Sequence, residues 1–239
     1  MRLAIIGAGK TGSAVADSAH RRGHEVVAKI RTANAGDVFR LSPDDCDVGV
    51  VFTPPAGAPA AIHALMDAGI PAVVGTTGWD ERRDEVLNHV SELGGRLLYA
   101  ANFSVGVWIF LQTARELSRR MNFHPHFDPY IEERHHRHKV DSPSGTAKAL
   151  ARAVVSELDS KTAFGVCDSA PAADFLSVAS SRAGDIVGVH RLAFVSEYEE
   201  VSLVHEARNR ACFADGAVFA AEWLVRQNPG VYDFSDCFA

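Results

Sequence analysis

Leu3-Ala4-Ile5-Ile6 runs directly into Gly7-Ala8-Gly9-Lys10-Thr11-Gly12, and no other feature limits the possible folds of this chain as much. Four apolar residues of strand character, a G-x-G-x-x-G spacing and a helical pattern from about Thr11 to Arg22 predict a strand, tight turn and helix in succession. The first glycine permits the turn, the second lets backbone approach a pyrophosphate, and the third lets the helix lie close to the strand. Lys10-Thr11 does not make a P-loop, whose spacing is absent, so an ATP site is disfavoured.

The alternation continues through the first hundred or so residues. Glu25–Ile30, Val48–Phe52, Ala72–Gly75 and Arg96–Ala100 read as further strands, with helical patterns near 57–68 and 80–92. Repeated βαβ units predict a parallel sheet of Rossmann-like type. After Asn102 the pattern changes to a long helix over Val107–Met121 and a strand near Pro129–Glu133. Beyond the next helix, Phe175–Ala179, Val187–Val195 and Glu200–Glu206 read as an antiparallel sheet with hairpin turns at Ala183-Gly184-Asp185 and Ser196–Glu199. A final helix over about Asp215–Arg226 is expected to return to the first domain. The expected fold class is α/β: a Rossmann-like nucleotide-binding domain over 1–103 and 212–239, and an α+β substrate and oligomerisation domain over 104–211 with a mixed or antiparallel sheet.

Composition narrows the class of function. Of 239 residues, 47% are apolar and 23% charged, as in an ordinary globular enzyme, and no stretch reads as a signal peptide or membrane span. A net charge of −6 argues against nucleic acid as a partner, and no membrane partner is expected. Cys46, Cys167, Cys212 and Cys237 are scattered without a C-x-x-C, which fits reduced thiols and a cytoplasmic location.

The choice of dinucleotide is written after the second strand, where an acidic residue would bind the ribose hydroxyls of NAD. This chain has Arg31-Thr32-Ala33-Asn34 there, with no acid before Asp37. A cation suits a 2′-phosphate, so NADPH is expected to be preferred, with NADH possible. Phe52-Thr53-Pro54-Pro55, Gly75-Thr76-Thr77-Gly78 and Ala100-Ala101-Asn102-Phe103 end later strands, where open α/β sheets bind ligands.

A second site is written in Glu133-Arg134-His135-His136-Arg137-His138-Lys139-Val140-Asp141-Ser142-Pro143-Ser144-Gly145-Thr146-Ala147. Every side chain from Arg134 to Lys139 is cationic or imidazole, and a local positive field in an acidic protein suits a small anion. The small and turn-forming residues that follow enter an alanine-rich helix, whose first amides suit a carboxylate or phosphate. No metal is expected. His135 and His136 are neighbours, so a strand would point them to opposite faces, and His138 has no acidic or cysteine partner at ligand spacing.

With these motifs in order, the chain resembles the dihydrodipicolinate (4-hydroxy-tetrahydrodipicolinate) reductase family over nearly its whole length. The resemblance is carried by the His135–Ala147 motif, Gly75–Gly78, Ala101–Val107 and Arg182-Ala183-Gly184-Asp185-Ile186-Val187-Gly188. It implies an NAD(P)H-dependent reduction of a cyclic dicarboxylate in lysine and diaminopimelate biosynthesis. It implies His135 as proton donor, Lys139 as the second catalytic residue, and His136, Lys139, Ser144, Gly145 and Thr146 as the substrate-carboxylate site. Cofactor contacts would come from Gly7, Ala8, Gly9, Lys10, Thr11, Gly12, Arg31, Phe52, Thr53, Gly75, Thr76, Thr77, Ala100, Ala101, Asn102 and Phe103. A homotetramer joined through the second-domain sheets is also implied. The competing readings are another two-domain NADP-linked reductase and a non-catalytic NADPH-binding sensor.

Overall fold

The structure, a computed structural model, describes residues 1–167 and 171–239. They form two compact units, Met1–Val105 with Arg210–Ala239, and Gly106–Asn209.

In the first unit, β1 (Arg2–Ile6), α1 (Lys10–Arg21), β2 (Glu25–Ile30), β3 (Val48–Val51), α2 (Ala58–Asp67), β4 (Ala72–Val74), α3 (Arg83–Glu92) and β5 (Arg96–Tyr99) follow in chain order. All pairings are parallel, in the order β2-β1-β3-β4-β5. The central strands are buried along their length, because helices cover both faces and leave no side for polar residues. Packing is close enough that a Cβ on Gly49 would stand 2.5 Å from the Leu65 side chain. Each large aliphatic side chain sealed there, such as Ile62 or Leu65, contributes about 1.5–3 kcal/mol.

Two features of this unit differ from the sequence expectation. Thr32–Arg40 forms 3-10 turns between β2 and β3. After the last helix, Gly230–Tyr232 adds a three-residue parallel strand beside β5, too short to announce itself by alternation.

The second unit holds α4 (Val105–Met121, entering from the first), β6 (Asp128–His135), α5 (Gly145–Val155), β7 (Ala163–Gly165), β8 (Phe175–Arg182), β9 (Gly188–Val195) and β10 (Glu200–Ala207). Its sheet is mixed, in the order β10-β9-β6-β8-β7. Ser196–Glu199 makes the expected hairpin between β9 and β10. The hairpin expected at Ala183-Gly184-Asp185 is not formed. β6 lies between β8 and β9, parallel to one and antiparallel to the other. The connecting segment instead arches over the end of β6, with Ala183 N–H donating to His135 O at 2.9 Å and Arg137 N–H to Gly184 O at 3.2 Å. Alternation assigns a strand its faces but not its neighbours.

One face of this sheet packs Ile131, Leu176, Val178, Leu192 and Phe194 against Phe110 and Ala114 of α4 and Leu150, Ala151 and Val154 of α5. β6 continues to His135, so its period of two sends Ile131, Glu133 and His135 to this covered face and Arg134 to the other. α6 (Ala211–Leu224) returns the chain to the first unit and packs on α1, where Ser18 Oγ donates to Asp215 at 2.8 Å and Arg22 pairs with Glu222 at 2.6 Å.

Candidate active site

In the first unit, the three glycines of the β1–α1 turn meet three different steric demands. Gly7 has φ +92°, and a Cβ there would stand 2.3 Å from Phe52 O. A Cβ on Gly12 would stand 2.3 Å from Gly7 O, so only glycine lets α1 pack this close to the turn. Around Gly9 nothing lies within 4 Å. Gly9 is also the N-cap of α1 and offers no side chain to its first amides. An open, uncapped helix start suits a pyrophosphate. Ala8 and Gly12 are buried, Lys10 is exposed, and Thr11 is half-buried beside them.

A cavity of about 320 Å³ adjoins this turn, lined by apolar groups including Ile6, Ile30, Val38, Phe39 and Ala61, with Arg31 and Thr32 at its polar side. Its lining contains no acidic residue. Asp37 is engaged elsewhere, accepting from Asn34 Nδ2 at 2.9 Å and lying 3.4 Å from Arg40 Nη1. Gly7, Ala8, Gly9, Arg31, Phe52 and Thr53 line an adjoining opening.

The ends of β3, β4 and β5 lock together nearby. A Cβ on Gly75 would stand 2.1 Å from the Phe52 ring, Thr76 Oγ1 donates to Thr53 O at 3.0 Å, and Trp79 Nε1 donates to Thr76 O at 2.8 Å. Phe103 is buried, its ring edge-on to Phe52 at 6.3 Å, and Asn102 Oδ1 accepts from Ser104 N–H. Thr77 and Ala101 are exposed, and Ala100 N–H continues the ladder to Val74 O.

In the second unit, His135 is 7% exposed at the end of β6. Its Nδ1 lies 3.2 Å from Glu133 Oε2. Burial chiefly holds the His135 imidazole below its usual titration range; Lys139 and Arg182 add to this, and Glu133 and Asp141 oppose it. The other Glu133 oxygen, Oε1, accepts from Ser144 N–H at 3.0 Å, Ser180 Oγ at 2.7 Å and Arg182 Nη2 at 2.9 Å. Burial pushes the Glu133 carboxyl up, but these donors outweigh it and hold it down to about 2. His190 packs edge-on against His135 at 5.0 Å, and burial, followed by the neighbouring His135, holds it down to about 4.

Lys139 and the α5 start stand beside this cluster's loop. Lys139 Nζ donates to Asp141 Oδ1 at 2.7 Å. Ser144 is the N-cap: its Oγ accepts from Ala147 N–H at 3.1 Å and lies 3.2 Å from His190 Nε2. The Ser144 hydroxyl thereby caps the helix beside His190, and its contact with Glu133 helps hold that carboxyl down. Gly145 is exposed and Thr146 half-buried at the head of α5, while half-buried His136 has its ring 6.4 Å from His138. Among the described residues, the group of His, Cys, Asp or Glu close enough to share an ion is Glu133, His135 and His190, not His135, His136 and His138.

Models of the two halves of dihydrodipicolinate reductase match the chain, the N-terminal one over residues 1–103 and the C-terminal one over 106–238. The chain belongs to the dihydrodipicolinate reductase family. It is 32% identical to the 4-hydroxy-tetrahydrodipicolinate reductase of Acinetobacter baylyi, covering 98% of this chain and 95% of that one. It is 36% identical to the reductase of the same name from Haloarcula marismortui, covering 98% of each. The dipicolinate-bound dihydrodipicolinate reductase of Paenisporosarcina sp. TG-14 shares its fold, with a TM-score of 0.75 at 21% identity over 98% of this chain and 97% of that one. The protein is therefore an oxidoreductase with a dinucleotide-binding fold, which implies NAD(P)H use.

Sequence reasoning missed four groups of this reductase. Glu133 opened the second-site motif but was given no role; its signal was the Glu-x-His spacing, which on a strand shares a face. Arg182 lay in a recognised motif with no role. His190 and Asp141 carried no local signal, because only the sheet order brings the one near His135 and only the turn brings the other to Lys139.

Proposed function

We propose that the chain reduces 4-hydroxy-tetrahydrodipicolinate to tetrahydrodipicolinate in lysine and diaminopimelate biosynthesis, preferring NADPH and accepting NADH. The observation that carries the reading is His135, buried at the end of β6 beside the ionised Glu133 carboxylate, which also takes the Ser144 amide at the start of α5.

The fit of the residues to the cofactor rests on the glycine turn, whose open side at Gly9 a Cβ would fill. Gly7 to Gly12 would hold the pyrophosphate, and Arg31 the 2′-phosphate in a lining free of carboxylates. Phe52, Thr53, Gly75, Thr76, Thr77, Ala100, Ala101, Asn102 and Phe103 would line the nicotinamide side. Bound there, NADPH would supply the hydride for the substrate ring, whose 4-hydroxyl leaves as water.

The remaining chemistry belongs to the second unit. Lys139, His136 and the amides of Gly145 and Thr146 bind the two substrate carboxylates, as an ammonium and the amides of a helix start bind anions. Ser144 contributes by fixing the helix start. His135 is neutral in the empty enzyme, and a bound dianion raises its proton affinity. It then donates its proton from Nε2 to the reduced ring and returns to the neutral form, to be reprotonated from solvent.

The dicarboxylate substrate, the cytoplasmic setting and a homotetramer are parts of the same proposal. The uncovered face of the second sheet, with Val195 37% and Val204 55% exposed around the Arg191 pairs with Glu132 and Glu200, supports assembly there. Among the described residues, no helix is long and apolar enough to cross a membrane. The test of the site is turnover in His135→Gln and Lys139→Ala. Each is expected to fall at least about a hundredfold, as loss of a general acid or its partner predicts, and near-wild-type turnover in either removes that residue from the reaction.

A further inference from the structure

Glu133 presents two different oxygens. Oε1 is saturated by three donors from two elements: the Ser144 amide at the head of α5, and Ser180 Oγ and Arg182 Nη2 on β8. Oε2 points the other way, 3.2 Å from His135 Nδ1 and 3.7 Å from His190 Nε2. Oε2 and His135 Nδ1 are both buried, and neither makes a hydrogen bond as placed, their 3.2 Å approach included. Two buried polar atoms at this separation are satisfied most simply by each other, since either left alone carries its full desolvation cost.

We infer that Glu133 is the positioning residue of this site, its Oε2 accepting Nδ1–H of His135 so that Nε2 is the nitrogen that meets substrate. The inference rests on the reading of His135 as proton donor. A carboxylate on one ring nitrogen fixes the tautomer and stabilises the imidazolium, the part Asp plays behind histidine in hydrolytic triads. Three donors on Oε1 keep the carboxylate ionised and prevent its rotation. Gly188 keeps the other side clear: a Cβ there would stand 3.1 Å from Nε2.

The groups that face His135 come from every neighbouring element. Glu133 is on its own strand, Lys139 and Asp141 on the following loop, Arg182 on β8 and His190 on β9. Among these, Glu133 and Asp141 favour the imidazolium and Lys139 and Arg182 oppose it, while His190 is neutral across the working range. Glu133 is the negative group in direct contact with the ring, so its removal depresses the proton affinity of His135.

The first test is read on the wild-type enzyme and does not require Glu133→Gln to fold. Imidazole-nitrogen NMR, with His135 assigned by the signal missing from His135→Gln, is expected to show a neutral ring protonated at Nδ1. A ring protonated at Nε2, or an Nδ1 without a proton because it binds a metal, overturns the inference. The second test is the pH profile of kcat. In Glu133→Gln, the alkaline limb is expected to move down by about one pH unit or more, the displacement that loss of an adjacent opposite charge produces. Its kcat is expected to fall at least about tenfold with KM changed less than about threefold, because the lost interaction belongs to the transition state. An unmoved limb in an active Glu133→Gln overturns the positioning role alone. Full activity in His135→Gln overturns the reading beneath it.

Discussion

Lys139 donates to Asp141 across one intervening residue at 2.7 Å, and the Gly145 amide at the head of α5 serves the same carboxylate. Two groups assigned to the substrate therefore hold a carboxylate of the protein itself. Asp141 stands where an incoming carboxylate must compete. Asp141→Asn is expected to lower the dissociation constant of dipicolinate, used as a cyclic dicarboxylate probe, about two- to fivefold, the worth of a partly exposed ion pair. Isothermal titration measures it, and weaker binding in the variant would show that Asp141 supports the site instead of competing for it.

Arg31 lines the cavity proposed for the cofactor while Asp37 is held by Asn34 and Arg40. Arg31→Ala is expected to raise KM for NADPH at least about tenfold, the loss of a charge-assisted contact to phosphate. KM for NADH should stay within about twofold, since that nucleotide carries no group for Arg31 to bind. Equal effects on both nucleotides would remove Arg31 from cofactor choice.

The glycines of the β1–α1 turn separate binding from folding. Gly9→Ala adds a methyl to open space, so thermal stability is expected to hold within about 1 kcal/mol while NADPH affinity falls. Gly12→Ala drives a methyl against Gly7 O and is expected to destabilise the first unit by about 1–3 kcal/mol, the range for overpacking. Melting curves with and without NADPH distinguish the two, and unchanged nucleotide affinity in Gly9→Ala would contradict the pyrophosphate assignment.

Acid should weaken the fold in two stages. His190 is held from its ordinary 6.5 down to about 4, so its contribution is complete above pH 6.5 and is lost as pH falls toward 4. Glu133 is held from 4.5 down to about 2, so its contribution is complete above pH 4.5 and is lost as pH falls toward 2. Each window carries up to about 3 kcal/mol. The urea midpoint of His190→Gln should decline less than that of wild type through the upper window, where the buried imidazole of His135 still contributes, and both should decline in the lower one. Parallel declines in the upper window would place that titration on another group.

The legible parts of this fold were those set by local periodicity. Glu25–Ile30 matches β2 at both ends, and the glycine turn lies where its spacing placed it. The false hairpin at Ala183–Asp185 shows the limit, since insertion of β6 between β8 and β9 is decided by packing across the sheet and not by the turn. The same limit applies to the candidate site. His135, Lys139 and the α5 start are contiguous and were visible together. Glu133 was obscured because the strand was read as ending there, two residues short, which removed the reason to pair it with His135. Arg182 and His190 reach Glu133 and His135 only through strand pairing at long sequence separation.

The central claim is most directly tested by following NADPH absorbance as purified wild-type protein and His135→Gln meet 4-hydroxy-tetrahydrodipicolinate. The account predicts rapid substrate-dependent oxidation by wild type and a rate at least about a hundredfold lower in the variant, with both proteins binding NADPH equally. Folded wild-type protein that binds NADPH but does not oxidise it in the presence of this substrate would contradict the account.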